Sequence, residues 1–325
     1  MRSSEKSAMR RGWIRCVLAV VIAALLFYAL DFALYPCTFM RNDIHAITTE
    51  PCDVLVLGTS NGKMDLDPDS MLTGTGLSGH NVCVGGEYPV DAYYIAKLAI
   101  EKQHPQQIVF ELDPGYLMTE KEKGNNYLLF YHEFPLSKAK LEYFGATMLD
   151  CDFRSVLFPF YEYPLGYELS KVRDTTFQKA TRNYDVSYLK GKVQEYHENG
   201  FIEKYPAAEA DFPSYTAVPF DAAALRETNL SYLEKLISLC RKENIRLVVA
   251  VMPLPEQTLQ SDAGWDAAWD FFSAFFAQRD VEFFNFNREY YGVYSHEATC
   301  FVDYDGHMNG SSARSFSQIF GALVF

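Results

Sequence analysis

The sequence lacks several motifs that would directly indicate a metal site, a redox site or a phosphate-binding site. None of its seven cysteines forms a Cys-x-x-C pair, so neither a zinc site nor a thioredoxin-like redox motif is indicated. The glycine-rich stretch at 74–79 lacks the Gly-Lys-Ser/Thr ending of a phosphate-binding loop. Basic residues are scarce, 29 against 42 acidic, and the net charge of −13 argues against a nucleic-acid partner. No metal and no cofactor are expected.

Apolar and aromatic residues are abundant by contrast. The chain of 325 residues is 49% hydrophobic and 15% aromatic, which is typical of a packed globular protein and not of a disordered one. Among the cysteines, the preferred disulfide is Cys37 with Cys52, since both lie just before the first predicted strand. Free structural thiols are the alternative.

The first 36 residues predict a membrane anchor. Arg2, Lys6, Arg10, Arg11 and Arg15 precede an apolar run at 17–34, which at 18 residues reaches the lower limit for a spanning helix. The positive-inside rule puts the N-terminus in the cytoplasm and everything after about residue 36 outside. The protein is therefore expected to be a single-pass protein of the cell membrane with an extracytoplasmic domain. A cleaved signal peptide is the alternative, although residues 33–37 make a poor cleavage site.

The remainder of the chain is strongly acidic and divides into two further parts. Without residues 1–15 it carries 24 basic and 41 acidic residues, a formal charge of −17. Residues 37–52 are predicted to be a connector, and 53–325 a single domain with an insertion at about 118–221.

Short apolar runs alternate with helical patterns along this domain. Strands are predicted at 54–57, 80–84, 108–112, 245–251 and 281–286. Helices are predicted at 89–102, around 230–240, at 262–278 and after a cap at Asn309. This alternation indicates an α/β fold with a flavodoxin-like parallel sheet of about five strands. The insertion is rich in Tyr, Phe and charge and is predicted to be partly helical. It forms either a lid or cleft wall over the carboxyl edge of the sheet, or a helical subdomain without a role in binding.

The first strand ends in Gly58, Thr59 and Ser60, which places a serine where ligands bind in open α/β sheets. Ser60 is therefore a candidate nucleophile. The alternative is that Thr59 and Ser60 only cap the next helix.

A partner for Ser60 lies between the last strand and the last helix. His307 follows Asp303 and Asp305 there. A serine hydroxyl needs a nearby base, and that base needs an acceptor that fixes its tautomer. The three residue types present fit such an arrangement. Aspartate and asparagine capping of the last helix explains the same residues without catalysis.

Together these stretches resemble the SGNH/GDSL hydrolase superfamily, with a first block at 58–60 and a last block at 305–309. The likeness covers about 220 residues, 53–117 and 222–325. It implies a three-layer SGNH-like fold in which Ser60 is the nucleophile and His307 the base. It also implies that the backbone N–H groups of Ser60 and Gly86 bind the oxyanion.

Three features depart from that family. Gly-Thr-Ser replaces Gly-Asp-Ser, the third strand ends in Glu111-Leu-Asp113 without Gly-x-Asn-Asp, and the acid precedes His307 by two or four residues instead of three. Asn61 is the candidate to replace the missing asparagine donor. Asp305 is preferred over Asp303 as the orienting acid, because some membrane-associated relatives use Asp-x-His. Those relatives are the proteins of teichoic-acid D-alanylation and the alginate O-acetyltransferases.

The sequence thus predicts a bacterial, extracytoplasmic serine esterase or O-acyltransferase that acts on a cell-envelope glycan or polymer. Its expected partners are the lipid bilayer, the envelope glycan or acyl donor, and a multi-spanning acyltransferase. The alternative is a non-catalytic SGNH-like scaffold that binds polymer or a membrane acyltransferase.

Overall fold

The computed structural model describes residues 2–121, 125–149, 153–157, 169–261 and 263–325. The chain divides into two compact units. The first comprises Met1–Cys37 and Asp150–Tyr184, and the second comprises Thr38–Leu149 and Asp185–Phe325.

The second unit is built on a parallel sheet. The described strands are β1 Val54–Leu57, β2 Gly79–Asn81, β3 Gln107–Glu111, β4 Gln194–Tyr196, β5 Ile202–Lys204, β6 Arg246–Val251 and β7 Glu282–Asn285. Five of them pair in the order β2-β1-β3-β6-β7, all parallel, while β4 and β5 form a separate antiparallel hairpin. The sheet order is that of flavodoxin-like folds, so the predicted fold class is confirmed.

The helices of the described residues are α1 Arg2–Leu34, α2 Phe39–Thr49, α3 Ser60–Asp65, α4 Pro68–Met71, α5 Pro89–Lys102, α6 Gly115–Met118, α7 Asn125–Tyr131, α8 Lys138–Thr147, α9 Phe153–Leu157, α10 Val172–Thr181, α11 Glu227–Lys242, α12 Glu256–Leu259, α13 Trp265–Ala277 and α14 Gly310–Val324. The helices predicted at 89–102, 230–240 and 262–278 correspond to α5, α11 and α13. The predicted cap is also present, because the side chain of Asn309 accepts the N–H of Ser312 at the start of α14.

Both faces of the sheet are buried, which explains why every residue of β1 is apolar. Leu55 and Leu57 point into a core formed with α2, α5, α11 and α13. Val54 and Val56 point to the opposite face, where α14 covers the sheet. The result is a three-layer arrangement in which the carboxyl ends of β1, β3 and β6 meet at one edge.

The predicted second strand is shorter than expected. β2 ends at Asn81, although Val82 and Val84 still donate their N–H groups to the β1 side of the sheet. The N–H of Cys83, which points the other way, is taken by the side chain of Asn81 at 3.0 Å. The side chain of Asn81 therefore satisfies an N–H group that points away from the sheet at its edge.

The stretch predicted as a connector, 37–52, contains α2. Met40, Ile44 and Ile47 recur at helical spacing and are fully buried in the core. This helix also contributes Asp43, whose side chain is completely buried. Most of the stretch is thus part of the domain core.

A buried ion pair attaches α3 to α2. The ammonium of Lys63 lies 2.7 Å from a carboxylate oxygen of Asp43 and donates to the backbone carbonyl of Asn81 at 2.7 Å. The other oxygen of Asp43 accepts from Tyr196 at 2.6 Å and bonds His80 at 2.8 Å. Every charge in this cluster has a close partner, as burial requires.

The first unit contains α1 and α10. Most apolar side chains of α1 are exposed, and its segment Met9–Leu34 is long and apolar enough to cross a membrane. α10 packs against α1, and the ammonium of Lys179 donates to the backbone carbonyl of Tyr35 at 2.5 Å. The side of the membrane on which the chain begins stays a prediction.

The preferred disulfide is wrong, because no disulfide joins Cys37 to Cys52, and none joins any other pair of the described cysteines. The thiol of Cys52 donates to the carbonyl of Val54 at 3.4 Å, and burial raises its pKa to about 12. The eleven residues of α2 separate the two positions, and a helix of that length spans about 16 Å, beyond the reach of a disulfide. Cys151 lies outside the described residues.

Candidate active site

Ser60 is the first residue of α3 and follows β1 through a tight turn. Gly58 has φ +142°, and a Cβ there would lie 2.6 Å from Cβ of Glu111, so the turn requires glycine. The side chain of Thr59 accepts the N–H of Asn61 and caps the helix. Because Thr59 supplies the cap, the hydroxyl of Ser60 is available to another partner.

That partner is His307. Oγ of Ser60 lies 2.8 Å from Nε2 of His307, and Nδ1 of the same ring lies 2.7 Å from Oδ2 of Asp303. A carboxylate only accepts, so Nδ1 carries the proton and Nε2 accepts from the serine hydroxyl. The side chains of His307 and Asp303 are only 15% and 16% exposed, which limits competition from water. Three side chains from two distant parts of the chain thus form one continuous hydrogen-bonded series.

The preference for Asp305 as the partner of His307 was wrong. The chain turns back at Gly306, with φ +99°, and the residue four before His307 is the one that hydrogen-bonds Nδ1 of the ring. Asp303 also accepts the backbone N–H groups of Asp305 and His307, at 3.1 and 3.2 Å. The side chain of Asp305 is exposed at the rim. The orienting acid therefore precedes the histidine by four residues and not by two.

Asp303 is held in its charged form. Burial by itself raises its pKa, but the hydrogen bonds from His307 and from the N–H of Asp305 outweigh burial and leave the pKa below its ordinary value. An ionised carboxylate at Nδ1 both orients the imidazole and stabilises the imidazolium that forms when Nε2 takes a proton.

The loop that carries His307 is fixed from both sides. Val302 donates its N–H to the carbonyl of His307 at 2.8 Å, and Phe301 forms a bridge with Met308. The N–H of Met308 then donates to Asp65 at 2.8 Å. Since Asp65 is the last residue of α3 and Ser60 the first, this bond links the helix of the serine to the loop of the histidine.

The three predicted oxyanion donors have different settings. The N–H of Ser60 is in the first turn of α3, where no acceptor within the helix exists. The N–H of Gly86 donates to the hydroxyl of Tyr116 at 3.2 Å, and the amide of Asn61 donates to the backbone carbonyl of Asp305 at 3.1 Å. Asn61 therefore also ties α3 to the histidine loop. Whether any of the three binds an oxyanion stays a prediction.

Two buried carboxyl groups hold the turn before Ser60, and sequence reasoning missed both. Glu111 accepts the N–H of Thr59 at 2.6 Å, and Glu87 accepts the N–H of Gly58 at 3.2 Å. Burial raises the pKa of Glu111 to about 7 and the pKa of Glu87 well above its ordinary value. A signal existed in the sequence, since Glu111 ends an otherwise apolar strand.

Replacing Glu111 by glutamine is expected to flatten the pH dependence of stability between about pH 4.5 and pH 7. The folded chain retains a proton on Glu111 in this range and the unfolded chain releases it, so stability falls as the pH rises. The loss reaches about 3 kcal/mol above pH 7. Thermal unfolding of the full-length protein in detergent at pH 5 and 7.5 measures it. The exposed Glu120→Gln variant is the control and should keep the wild-type pH dependence. An unchanged slope in Glu111→Gln would contradict the assignment.

The serine and histidine open into a cleft of about 250 Å³ at the carboxyl edge of the sheet. Part of its wall consists of aromatic and apolar side chains, namely Tyr116, Tyr215, Trp265, Trp269, Met252 and Leu254. Its acidic groups are Glu111, Asp113 and Asp305, and no lysine or arginine lines it among the described residues. Burial and the nearby charge of Asp305 raise the pKa of Asp113. Tyr215 comes from the predicted insertion, so part of that segment forms cleft wall.

One group of side chains has the composition of a metal site. Ligand atoms of Asp303, Asp305 and His307 lie within 4.8 Å of one another. Two of these residues are already hydrogen-bonded to each other through Nδ1 and Oδ2, so a metal ion would have to replace that bond. The expectation of no metal stays a prediction.

Comparison with known proteins finds no sequence match and two weak structural alignments. No family model matches the chain, and no curated protein matches it. A solved structure of a proposed platelet activating factor from Streptococcus pneumonia aligns with 94% of this chain and 99% of its own, at 10% identity and TM-score 0.42. A proposed acylhydrolase from Bacteroides fragilis aligns with 86% of this chain and 92% of its own, at 8% identity and TM-score 0.38. At these values no conclusion about activity follows.

Proposed function

We propose that the protein is a membrane-anchored, extracytoplasmic serine esterase or O-acyltransferase that acts on a cell-envelope glycan or polymer. The observation that carries the proposal is the hydrogen-bonded series from Ser60 through His307 to Asp303, at 2.8 and 2.7 Å. A nucleophile, a base and an orienting acid in this geometry serve acyl transfer.

The reaction proceeds in two steps. Oγ of Ser60 attacks the acyl carbonyl and its proton passes to Nε2 of His307, while the carbonyl electron pair moves to oxygen. The intermediate collapses, and the leaving alkoxide takes the proton from His307, which leaves an acyl group on Ser60. Water or a sugar hydroxyl then attacks that ester, with His307 again accepting and returning the proton. Asp303 stays ionised throughout.

The cleft favours a neutral substrate at the reacting centre. Asp113 and Asp305 face it, and none of its described lining residues is a cation. An anionic group next to the scissile bond would be repelled, whereas an ester of a neutral sugar would not. The aromatic wall, including Trp265 and Tyr215, offers flat apolar faces for an acyl chain or a sugar ring. These features support an acylated glycan over a phosphorylated compound.

The membrane assignment rests on α1 and the charges before it. Met9–Leu34 has the length and composition of a spanning helix, and five basic residues lie in the first 15. The positive-inside rule then puts the cleft outside the cytoplasm, where envelope polymers are modified.

A fluorophosphonate probe applied to the full-length protein in detergent tests the proposal. We expect a covalent adduct on Ser60, identified by mass spectrometry, and acetate release from an aryl acetate ester. Ser60→Ala should lose both, because no other hydroxyl is bonded to His307 among the described residues. Ser231→Ala, at an exposed position of α11, is the matched control and should behave as wild type. If Ser60→Ala were labelled as strongly as wild type, Ser60 would not be the nucleophile.

A second candidate is the non-catalytic scaffold, and one observation favours it. The chain after β3 reads Glu111-Leu-Asp113 and lacks the Gly-x-Asn-Asp block of the resembling family, so the amide donor of that block is absent. For a scaffold, Ser60→Ala would retain full function in cells, and a multi-spanning acyltransferase would co-purify with both wild type and the variant.

A further inference from the structure

The backbone beside Ser60 is placed for an oxyanion donor, but its expected N–H is already used. A Cβ added to Gly85 would lie 3.9 Å from Oγ of Ser60, so this segment runs alongside the nucleophile. The next residue, Gly86, has φ +85° and donates its N–H to Oη of Tyr116 at 3.2 Å. A carbonyl oxygen at Ser60 therefore does not have free access to that N–H.

The hydroxyl of Tyr116 accepts one hydrogen bond and can donate another. Its oxygen accepts from Gly86, and among the described residues nothing accepts its proton. Tyr116 lines the same cleft as Ser60 and His307. Burial raises its pKa, as does the charge of Asp113, so the hydroxyl keeps its proton at neutral pH.

The position of Tyr116 is fixed by its neighbours. Its ring packs edge-on against the ring of Tyr88, with centroids 5.0 Å apart and planes at 87°. The amide of Asn229 donates to its backbone carbonyl at 2.9 Å. A donor held in this way loses little entropy when it binds, which is the property that a preorganised oxyanion site needs.

We propose that the hydroxyl of Tyr116 donates the oxyanion hydrogen bond in place of Gly86, whose N–H instead polarises that hydroxyl. The inference rests on the proposed function. In the attack step the carbonyl electron pair moves to oxygen and the proton of Ser60 goes to His307. Tyr116 keeps its own proton and supplies a hydrogen bond only. The bond accepted from Gly86 strengthens the hydroxyl as a donor.

The variant Tyr116→Phe distinguishes two roles of the Tyr116 hydroxyl. The hydroxyl either donates to the oxyanion or only occupies the N–H of Gly86 and blocks it. Phenylalanine keeps the ring and its packing but removes the donor and frees the N–H of Gly86. With the full-length protein in detergent and an aryl acetate ester, we expect kcat to fall by about 10²- to 10³-fold with KM nearly unchanged. The rate of fluorophosphonate inactivation should fall in parallel. Tyr88→Phe is the control, because its hydroxyl bonds Thr119 and it does not line the cleft.

The outcomes are distinct. If kcat and the labelling rate of Tyr116→Phe equal or exceed those of wild type, Gly86 is the donor and the inference is overturned while the proposed function stands. If the wild type itself is neither labelled nor active, both fall. Should Tyr116→Phe fail to fold, 3-fluorotyrosine at position 116 keeps both bonds but ionises at lower pH. Loss of activity at lower alkaline pH than wild type then supports the role, and an unchanged pH profile overturns it.

Discussion

Replacing Asp303 by asparagine is expected to lower kcat for ester cleavage by about 10⁴-fold while KM changes little. The carboxylate of Asp303 accepts the Nδ1 proton of His307 at 2.7 Å and so leaves Nε2 free to accept from Ser60. An asparagine amide that donates to Nδ1 forces the proton onto Nε2, and the ring then has no lone pair for the serine hydroxyl. Steady-state kinetics of the full-length protein with an aryl acetate ester measure the effect.

Asp305→Asn is the matched control. It removes a carboxylate two residues away in the same loop, and the Asp305 side chain is exposed and not bonded to His307. We expect its kcat to stay within about threefold of wild type, since the exposed Asp305 carboxylate does not hold the Nδ1 proton of His307. A larger loss in Asp305→Asn than in Asp303→Asn would restore Asp305 as the orienting acid.

Lys63→Met is expected to lower the free energy of unfolding by about 3–5 kcal/mol. Methionine fills the volume but leaves the fully buried carboxylate of Asp43 without its ammonium partner at 2.7 Å. Urea unfolding of the full-length protein in detergent gives the change in stability. The double variant with Asp43→Asn should recover part of the loss, because the uncompensated charge is then gone.

An exposed ion pair provides the comparison. Arg288 and Asp270 lie 2.6 Å apart, but their side chains are 42% and 70% exposed. Arg288→Met should therefore lower the free energy of unfolding far less than Lys63→Met does, because water already solvates both charges of the exposed pair. If Lys63→Met cost no more than Arg288→Met, the buried cluster would not stabilise the attachment of α3 to α2.

The sheet could be predicted well because its strands are buried on both faces. β1, β3, β6 and β7 lie within one or two residues of their predicted positions, since runs such as 54–57 have few alternatives to a central parallel strand. α2 was missed because its apolar stripe of Met40, Ile44 and Ile47 is short and interrupted by polar residues. Two of those, Asn42 and Asp43, are themselves buried, so polarity there did not indicate exposure.

The candidate site was predictable in part. The positions of Ser60 and His307 at strand ends follow from the order of elements, and the structure brings them to 2.8 Å. The choice between Asp303 and Asp305 depends on how the chain turns at Gly306, which sequence spacing does not encode. Tyr116 and Glu87 were missed because their roles arise from contacts with the backbone of Gly86 and Gly58, and no side-chain pattern marks such contacts.

The acidic side chains that line the cleft affect how the product leaves it. Under the proposed function, hydrolysis turns a neutral ester into a free acid that ionises at neutral pH. Asp113 and Asp305 then face a like charge, with no lysine or arginine in the described lining to hold it. We therefore expect the acid product to bind the cleft weakly and to inhibit the reaction little. A neutral sugar hydroxyl that enters to receive the acyl group meets no such repulsion.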